Sequence, residues 1–504
     1  MEMKDRNSGS ALALVLITSV VMMVLAGALF TLFQANIQSH SWSRERIQAR
    51  CTAEAGSNMA IHMIMEGADV PQGIQPIQFL PEVGSWQLLD EEMGYVQVWV
   101  DPNDHNPLVG SANAYEVRCL SKVESEDQVE TYGMSTQVLP RNFAVYATFL
   151  NNGGNGYYGD GYRFDGPFHS NTAVRVSSET AGRLNDPYFY SFSVASDYYY
   201  YRVPGTGTII PVTTPQYGNL YMEPYERMQL GEPYFCIGAD SIPFGSGEVT
   251  WQGAYNAALS GGLVLDVPDG GRMIIKKDTL FVKPDSVSAP VAYYMGSLTN
   301  NVVWIDNEND ETVYLKSFPH DPDTMGLSIP LTLGVNGTLA VMGNTTYSNS
   351  DILAPNNDIL LGVIVVHGDF VIAVDPDARV PAVPDWDDPF KIVTYSGNDD
   401  LQFHGVIMVL DGMFQLEDTS WGHYYWWPHP AVDITIMGGY IINEEGVTTW
   451  VISGNYYGYL SDIIYDTRLM SMHPPFYPQT GVWDTAYWKE WPDLNEDNIG
   501  FNYQ

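Results

Sequence analysis

Residues Ala11 to Phe33 carry no charge, and the stretch that follows, Gln34 to Met65, has no proline and only one glycine, Gly56. In that second stretch apolar residues recur at roughly helical spacing: Ile37, Trp42, Ile47, Cys51, Met59 and Met63. The pattern predicts one helix over Ser8 to Met65, apolar in its first half and amphipathic in its second. A helix over the 23 residues of the apolar run reaches about 34 Å, enough to cross a bilayer with some tilt. The run is longer than the roughly 7–15-residue apolar core of a cleaved secretory signal.

Beyond the helix, strand patterns take over. Tyr95 to Val100 alternates, and Ala114 to Lys122 and Val129 to Val138 read as two more strands joined by the acidic turn Glu124 to Asp127. Their sheet is expected to receive the amphipathic half of the helix. From Gly261 a unit recurs: an apolar run, a turn on glycine, a second apolar run. Its copies are Leu331 to Val341, Leu360 to Ile372, Val406 to Leu416 and Ile434 to Ile442. The turn glycines Gly337, Gly368, Gly412 and Gly438 stand 31, 44 and 26 residues apart, as loops of unequal length would leave them in stacked units.

The expected fold class is mainly β with a long N-terminal α-helix: helix plus small sheet, then a parallel β-helix-like solenoid, with a β-sandwich as the alternative. The expected organisation is a membrane helix over 1–65, a small β head over 66–140 and an irregular, Tyr-rich β region over 141–260. The solenoid would occupy 261–464. A Trp- and Pro-rich segment over 465–504 is expected to lie irregularly across it.

Charge narrows the partners. The formal net charge is −38, and residues 1–50 contribute five basic and three acidic side chains, so the acidity belongs to the rest. Such a surface excludes nucleic acid as a ligand and suits an exported protein kept soluble by repulsion. Catalytic signatures are missing: there is no G-x-S-x-G elbow and no H-E-x-x-H helix. No enzymatic activity is expected; the alternative is a membrane-tethered β-helix protein that binds or cleaves extracellular polysaccharide. His169, in Gly166-Pro167-Phe168-His169-Ser170-Asn171, reads as a structural turn residue. Asp306, Glu308 and Asp310 place hard oxygen donors at alternating positions and are the candidate calcium ligands. An EF-hand-like loop needs glycine at its sixth position, where Glu311 stands. No other cofactor is expected. Cys51, Cys119 and Cys236 form no metal spacing, and a Cys51–Cys119 disulfide is one option beside free thiols. Tyr198 to Tyr201 and Tyr424 to Trp427 are aromatic clusters able to stack on a surface glycan, although burial is the commoner use of such residues.

Two motifs at the start carry a resemblance. Gly9-Ser10-Ala11-Leu12-Ala13-Leu14-Val15 and Ala53-Glu54-Ala55-Gly56 resemble the N-terminal segments of PilX-type minor pilins and pseudopilins of type IV pilus-like systems. The resemblance implies processing between Gly9 and Ser10 and a pilin-like head. It also implies a single-pass inner-membrane anchor with the ectodomain in the periplasm or at the cell surface of a bacterial envelope. The implied partners are other pilin-like subunits and the assembly or secretion machinery. Major pilins place a glutamate five residues after the processed glycine; here that position is Leu14, which points to a minor, tip or adhesion component. Ala26, Gly27 and Ala28 are the small residues on which such helices would pack. Residues 140–490, with Phe164 to Asn171, Asp466-x-Arg468 and Pro474-Pro475, resemble an uncharacterised bacterial envelope domain found on PilX-like N-termini.

Overall fold

The computed structural model describes residues 8–65, 77–80, 86–90, 93–101, 115–124, 129–153, 156–159, 162–177, 188–203, 206–213, 221–222, 235–245, 248–284, 288–307, 311–316, 326–348, 357–373, 401–417, 432–452, 455–470 and 472–491. They form a mainly β protein with one long N-terminal helix. The chain divides into two compact units.

The first unit draws on Met1–Asp104, Asn113–Leu139 and Asp484–Gln504. Its helix α1 (Ser8–Met65) is unbroken, as its pattern predicts. From Ala13 to Arg44 every side chain is exposed. Farther on, Ala49, Thr52, Ala53, Gly56, Ser57, Ala60, Ile61 and Ile64 are buried. These lie three and four residues apart, on one face. The strands are β1 (Ile77–Leu80), β2 (Gln87–Asp90), β3 (Gly94–Asp101), β4 (Tyr115–Glu124) and β5 (Val129–Asn142). Neighbours pair antiparallel in the order β1-β3-β4-β5, with β2 also on β3. α1 packs on β3 and β4, over the buried Val96, Val98, Val117 and Cys119.

The expected contact face of α1 is wrong. Ile37, Trp42, Ile47, Cys51 and Met59 are exposed, and Met63 is half-buried. From Ala49 to Ala60 the helix meets the sheet with small residues, because the valines of β3 and β4 already fill the space between them; Ile61 and Ile64 are buried only beyond that stretch. A large side chain would hold the backbones apart.

The second unit contains Pro140–Trp483. Its strands are β6 (Thr148–Asn152), β7 (Arg163–Ser170), β8 (Arg175–Ser177), β9 (Tyr188–Val194), β10 (Tyr199–Arg202), β11 (Ile209–Val212), β12 (Tyr221–Met222) and β13 (Phe235–Ile237). Helix α2 (Glu248–Gly261) follows. Then come β14 (Leu263–Leu265), β15 (Arg272–Lys276), β16 (Thr279–Lys283), β17 (Val291–Tyr294), β18 (Val302–Asp306), β19 (Thr312–Lys316), β20 (Leu331–Asn336), β21 (Thr338–Met342), β22 (Leu361–Val366) and β23 (Phe370–Ile372). The last are β24 (Leu401–Leu416), β25 (Val432–Glu445), β26 (Thr449–Ile452) and β27 (Asn455–Tyr465).

Pairing here is overwhelmingly parallel. One ladder runs β14-β18-β20-β22-β24-β25, and a second runs β15-β19-β21-β23 to the far half of β24. Antiparallel pairs are confined to β10–β11, β15–β16–β17 and β26–β27 among the described residues. The ladder does not end at β25. β25 pairs with β27 and also, in parallel, with β6. β7, β9 and then β12 and β13 continue the same series. Spatial order is therefore rotated against chain order: residues 148–237 stack beyond residues 263–465. α2 sits at the opposite end, on β14, β18 and β20, with Trp251 stacked 5.5 Å from Trp304.

Like residues meet across neighbouring strands. Phe168, Phe192 and Phe235 stack at 5.5 and 5.2 Å, and Phe370 and Phe414 at 5.3 Å. A Cβ on Gly368 would lie 2.3 Å from the Gly337 backbone, and one on Gly412 would lie 2.1 Å from the Gly368 carbonyl. These three glycines form one column, although Gly412 lies inside β24, and Gly438 inside β25, rather than in the turns expected there. Gly438 belongs to another, against Gly405.

Finally β28 (Gln479–Glu490) pairs with β5 as the outer strand of the first unit's sheet. The tail expected to be irregular thus contains a 12-residue strand. The segment before it does lie across the ladder: Thr332 Oγ1 donates to the Pro475 carbonyl, and Tyr477 packs on Gly362.

Candidate functional site

The Ala53-Glu54-Ala55-Gly56 motif divides between two faces of α1. Ala53 and Gly56 face the sheet, and a Cβ on Gly56 would stand 2.9 Å from Val96 Cγ1 and 3.0 Å from Cys119 Sγ. Two hydroxyls tie the same turns down. Thr52 Oγ1 donates to the Met93 carbonyl at 2.6 Å, and Ser121 Oγ donates to the Ala49 carbonyl at 2.6 Å. Cys119 is enclosed here as a free thiol, its pKa pushed up to about 12 by burial. Cys51 is also free and lies on the exposed side of the helix, so the two form no disulfide.

Glu54 and half-buried Ala55 point away from the sheet core. Glu54 lines an open cleft of about 450 Å³ with Arg50, Asn58, Tyr132, Met134, Lys489 and Glu490. Arg50 Nε donates to Glu54 Oε1 at 2.9 Å, and its Nη1 lies 3.6 Å from Glu490 Oε1. Burial, then the hydrogen bond to Glu490, pushes the Tyr132 phenol up to about 12. The ion pairs are well exposed and add little stability. What the cleft offers is two cations and two carboxylates in a molecule that is otherwise strongly acidic.

Ala26, Gly27 and Ala28 are exposed on the apolar half of α1, with no atom within 4 Å of a Cβ placed on Gly27. Gly9 and Ser10 lie in its first turns. Asp306 closes β18 and accepts a 3.3 Å hydrogen bond from the Tyr255 hydroxyl. Glu308 and Asp310 lie outside the described residues, as do His423, His429 and Tyr424 to Trp427. Among the described residues no group of three or more metal-ligating side chains converges.

His169 is buried. Its Nδ1 is 2.8 Å from Ser193 Oγ, its Nε2 is 3.2 Å from Asn171 Oδ1, and its ring stacks on Phe149 at 5.5 Å. Asn171 Oδ1 accepts from Ile242 N, so Nε2 carries the imidazole proton. Ser193 is also placed to donate to the Phe168 carbonyl. Asn171 Nδ2 donates to Asn151 Oδ1, and Asn151 Nδ2 to Asn443 Oδ1, an amide chain across neighbouring strands. This is a structural network, not a triad. A second network is built on the Asp466-x-Arg468 motif, whose pairing the sequence did not show. Asp466 and Arg468 form a buried bidentate pair at 2.6–3.1 Å, and Arg468 Nη1 donates to the Asn357 carbonyl. His404, beside the pair, accepts from Tyr347 N and is pushed down to about 4 by burial.

No protein-family model and no curated protein matches the sequence. Among solved structures, the competence-associated pilin ComZ from Thermus thermophilus is similar at 11% identity over 88% of this chain and 97% of that one, with a TM-score of 0.26. A likeness of that size assigns neither fold nor role.

Proposed function

We propose that this protein is a membrane-anchored, exported structural subunit of a type IV pilus- or pseudopilus-like system. It acts as a minor, tip or adhesion component and catalyses no reaction. One observation carries the reading: a single helix is fully exposed and apolar over its first half and packed on a small antiparallel sheet by its second. That division suits a helix shared between a membrane and a folded head. The side of α1 away from the sheet, with Ile47, Cys51 and Met59 exposed, is where a neighbouring pilin-like helix would pack. The parallel ladders of the second unit suit a β-helix-like solenoid carried outward from the bacterial inner membrane.

The test is the mature N-terminus, determined by mass spectrometry on membranes and on sheared surface filaments. A methylated Ser10 start in filaments is the expected result. An intact Met1 confined to membranes would leave a tethered envelope protein. A start between about Ala28 and Ser39 would mean a cleaved secretory signal. Either of these would overturn the proposal. Gly27→Leu is expected to reduce recovery in filaments without altering the ectodomain's unfolding.

A further inference from the structure

Glu445, the last residue of β25, turns its carboxylate toward the core of the second unit. Tyr158 donates to its Oε2 at 2.7 Å and Tyr440 to its Oε1 at 3.4 Å. Each of these tyrosines is only 3% exposed, whereas Glu445 as a whole residue is half-buried. Tyr158 joins two parts of the fold. Its backbone lies beside β8, its N–H donating to the Arg175 carbonyl and its carbonyl accepting from Ser177 N, both at 2.9 Å. Its ring packs edge-on against Tyr162, Phe164 and Phe168 at 5.3–5.8 Å. Its hydroxyl reaches β25. Since β8 pairs with β10 and β10 with β11, this bond ties a side sheet to the ladder.

Among the described residues no lysine, arginine or histidine compensates the Glu445 carboxylate. Tyr158 and Tyr162 face it from the segment before β7, and Tyr440 faces it from its own strand. β24 brings Phe414 and Gln415, and Gln415 donates to Asp369. Glu444 stands beside Asn152 of β6. An ionised carboxylate is costly in such surroundings, whereas the protonated form keeps both contacts, accepting from Tyr158 and donating to Tyr440. Burial accordingly holds the Glu445 carboxyl above the usual carboxylate range, against the two hydrogen bonds. Satisfying the tyrosines does not call for an acid. Asn443 of the same strand bonds Asn151 through its amide, and a glutamine at 445 would accept from both hydroxyls without a charge. What an acid adds is a response to protons.

We propose that Glu445 is a proton-operated clasp: protonated, it locks the Tyr158 segment and the β8-β10-β11 sheet onto the ladder, and ionised, it lets them loosen. The sign follows from the surroundings. The clasped chain keeps a proton that the opened chain gives up, so the clasp is fully set in acid and weakens as the pH rises through the folded pKa. The inference is independent of the pilin-like reading.

The test is hydrogen exchange read by mass spectrometry on the full chain in detergent, from about pH 5 to about pH 8, expressed as protection against the free-peptide rate at each pH. Protection of residues 156–159 and 175–177 is expected to fall about tenfold over that range, and in Glu445→Gln to stay within about twofold of its acid value. Tyr158→Phe should leave both segments poorly protected at every pH. Repulsion in a chain of net charge −38 acts on parent and Glu445→Gln alike, and His404 shifts the unit in the opposite direction. The reading is therefore the difference between the two chains at these residues. A parent whose protection there is flat or rises with pH would overturn the proposal even where Glu445→Gln does not fold. So would a Glu445→Gln chain that follows the parent's fall, or a Tyr158→Phe chain as protected in acid as the parent.

Discussion

Thr52, Gly56 and Ser121 show how closely α1 and its sheet approach, since two hydroxyl-to-carbonyl bonds of 2.6 Å bracket a glycine with no room for a Cβ. Gly56→Val is therefore expected to lower the stability of the first unit by about 1–3 kcal/mol, read as an earlier denaturation midpoint. Val96→Ala in the same chain should restore part of it. His404 gives the second unit an acid limit. Its folded pKa is about 4, whereas an unfolded histidine titrates near roughly 6.5. Between those values the unfolded chain holds the extra proton, so stability falls as the pH drops from about 6.5 to 4, by roughly 3 kcal/mol. His404→Gln should flatten that part of the stability–pH curve; an unchanged slope would mean the histidine is not the titrating group. At this scale the motif around Glu54 was visible in the sequence, whereas His169, read there as a turn residue, lies inside strand β7. It hid the choice of helix face. Periodicity marks where large apolar residues fall, whereas the sheet selected the small ones.

The helix α1 was legible because its 58 residues repeat one message, and the four apolar–glycine–apolar units all fall on strands. α2 was not foreseen. Trp251, Ala254, Tyr255 and Ala258 stand at helical spacing, but over only four turns between turn-rich flanks. The marker glycines were visible, yet their grouping was not. Gly337, Gly368 and Gly412 touch one another, while Gly438 meets Gly405, and only strand pairing tells the columns apart. Gly412→Ala should therefore act through the neighbouring strand. Its methyl would press on the Gly368 carbonyl, 2.1 Å away. A loss of about 1–3 kcal/mol is expected, with faster amide exchange at Phe370 to Ile372 as well as around residue 412. Exchange confined to the mutated stretch of β24 would argue against a shared column.

At the scale of the molecule, residues 140–483 are an insertion between two strands, β5 and β28, that share one sheet. Each unit has its own buried side chains, so the chain is expected to unfold in two calorimetric transitions, and a fragment of residues 140–483 should retain the larger one. A single transition that disappears in the fragment would show that the insertion depends on its host. The rotated order of the ladder also sets a timetable. A ribosome adding about 5–20 residues per second makes Thr148 roughly 15–60 s before Tyr440, the residue it pairs with. Until then the first-made strands of the insertion have an open edge and no seat. Nascent chains halted before residue 432 should accordingly recruit a holding chaperone through residues 148–237, and completion of β25 should release it.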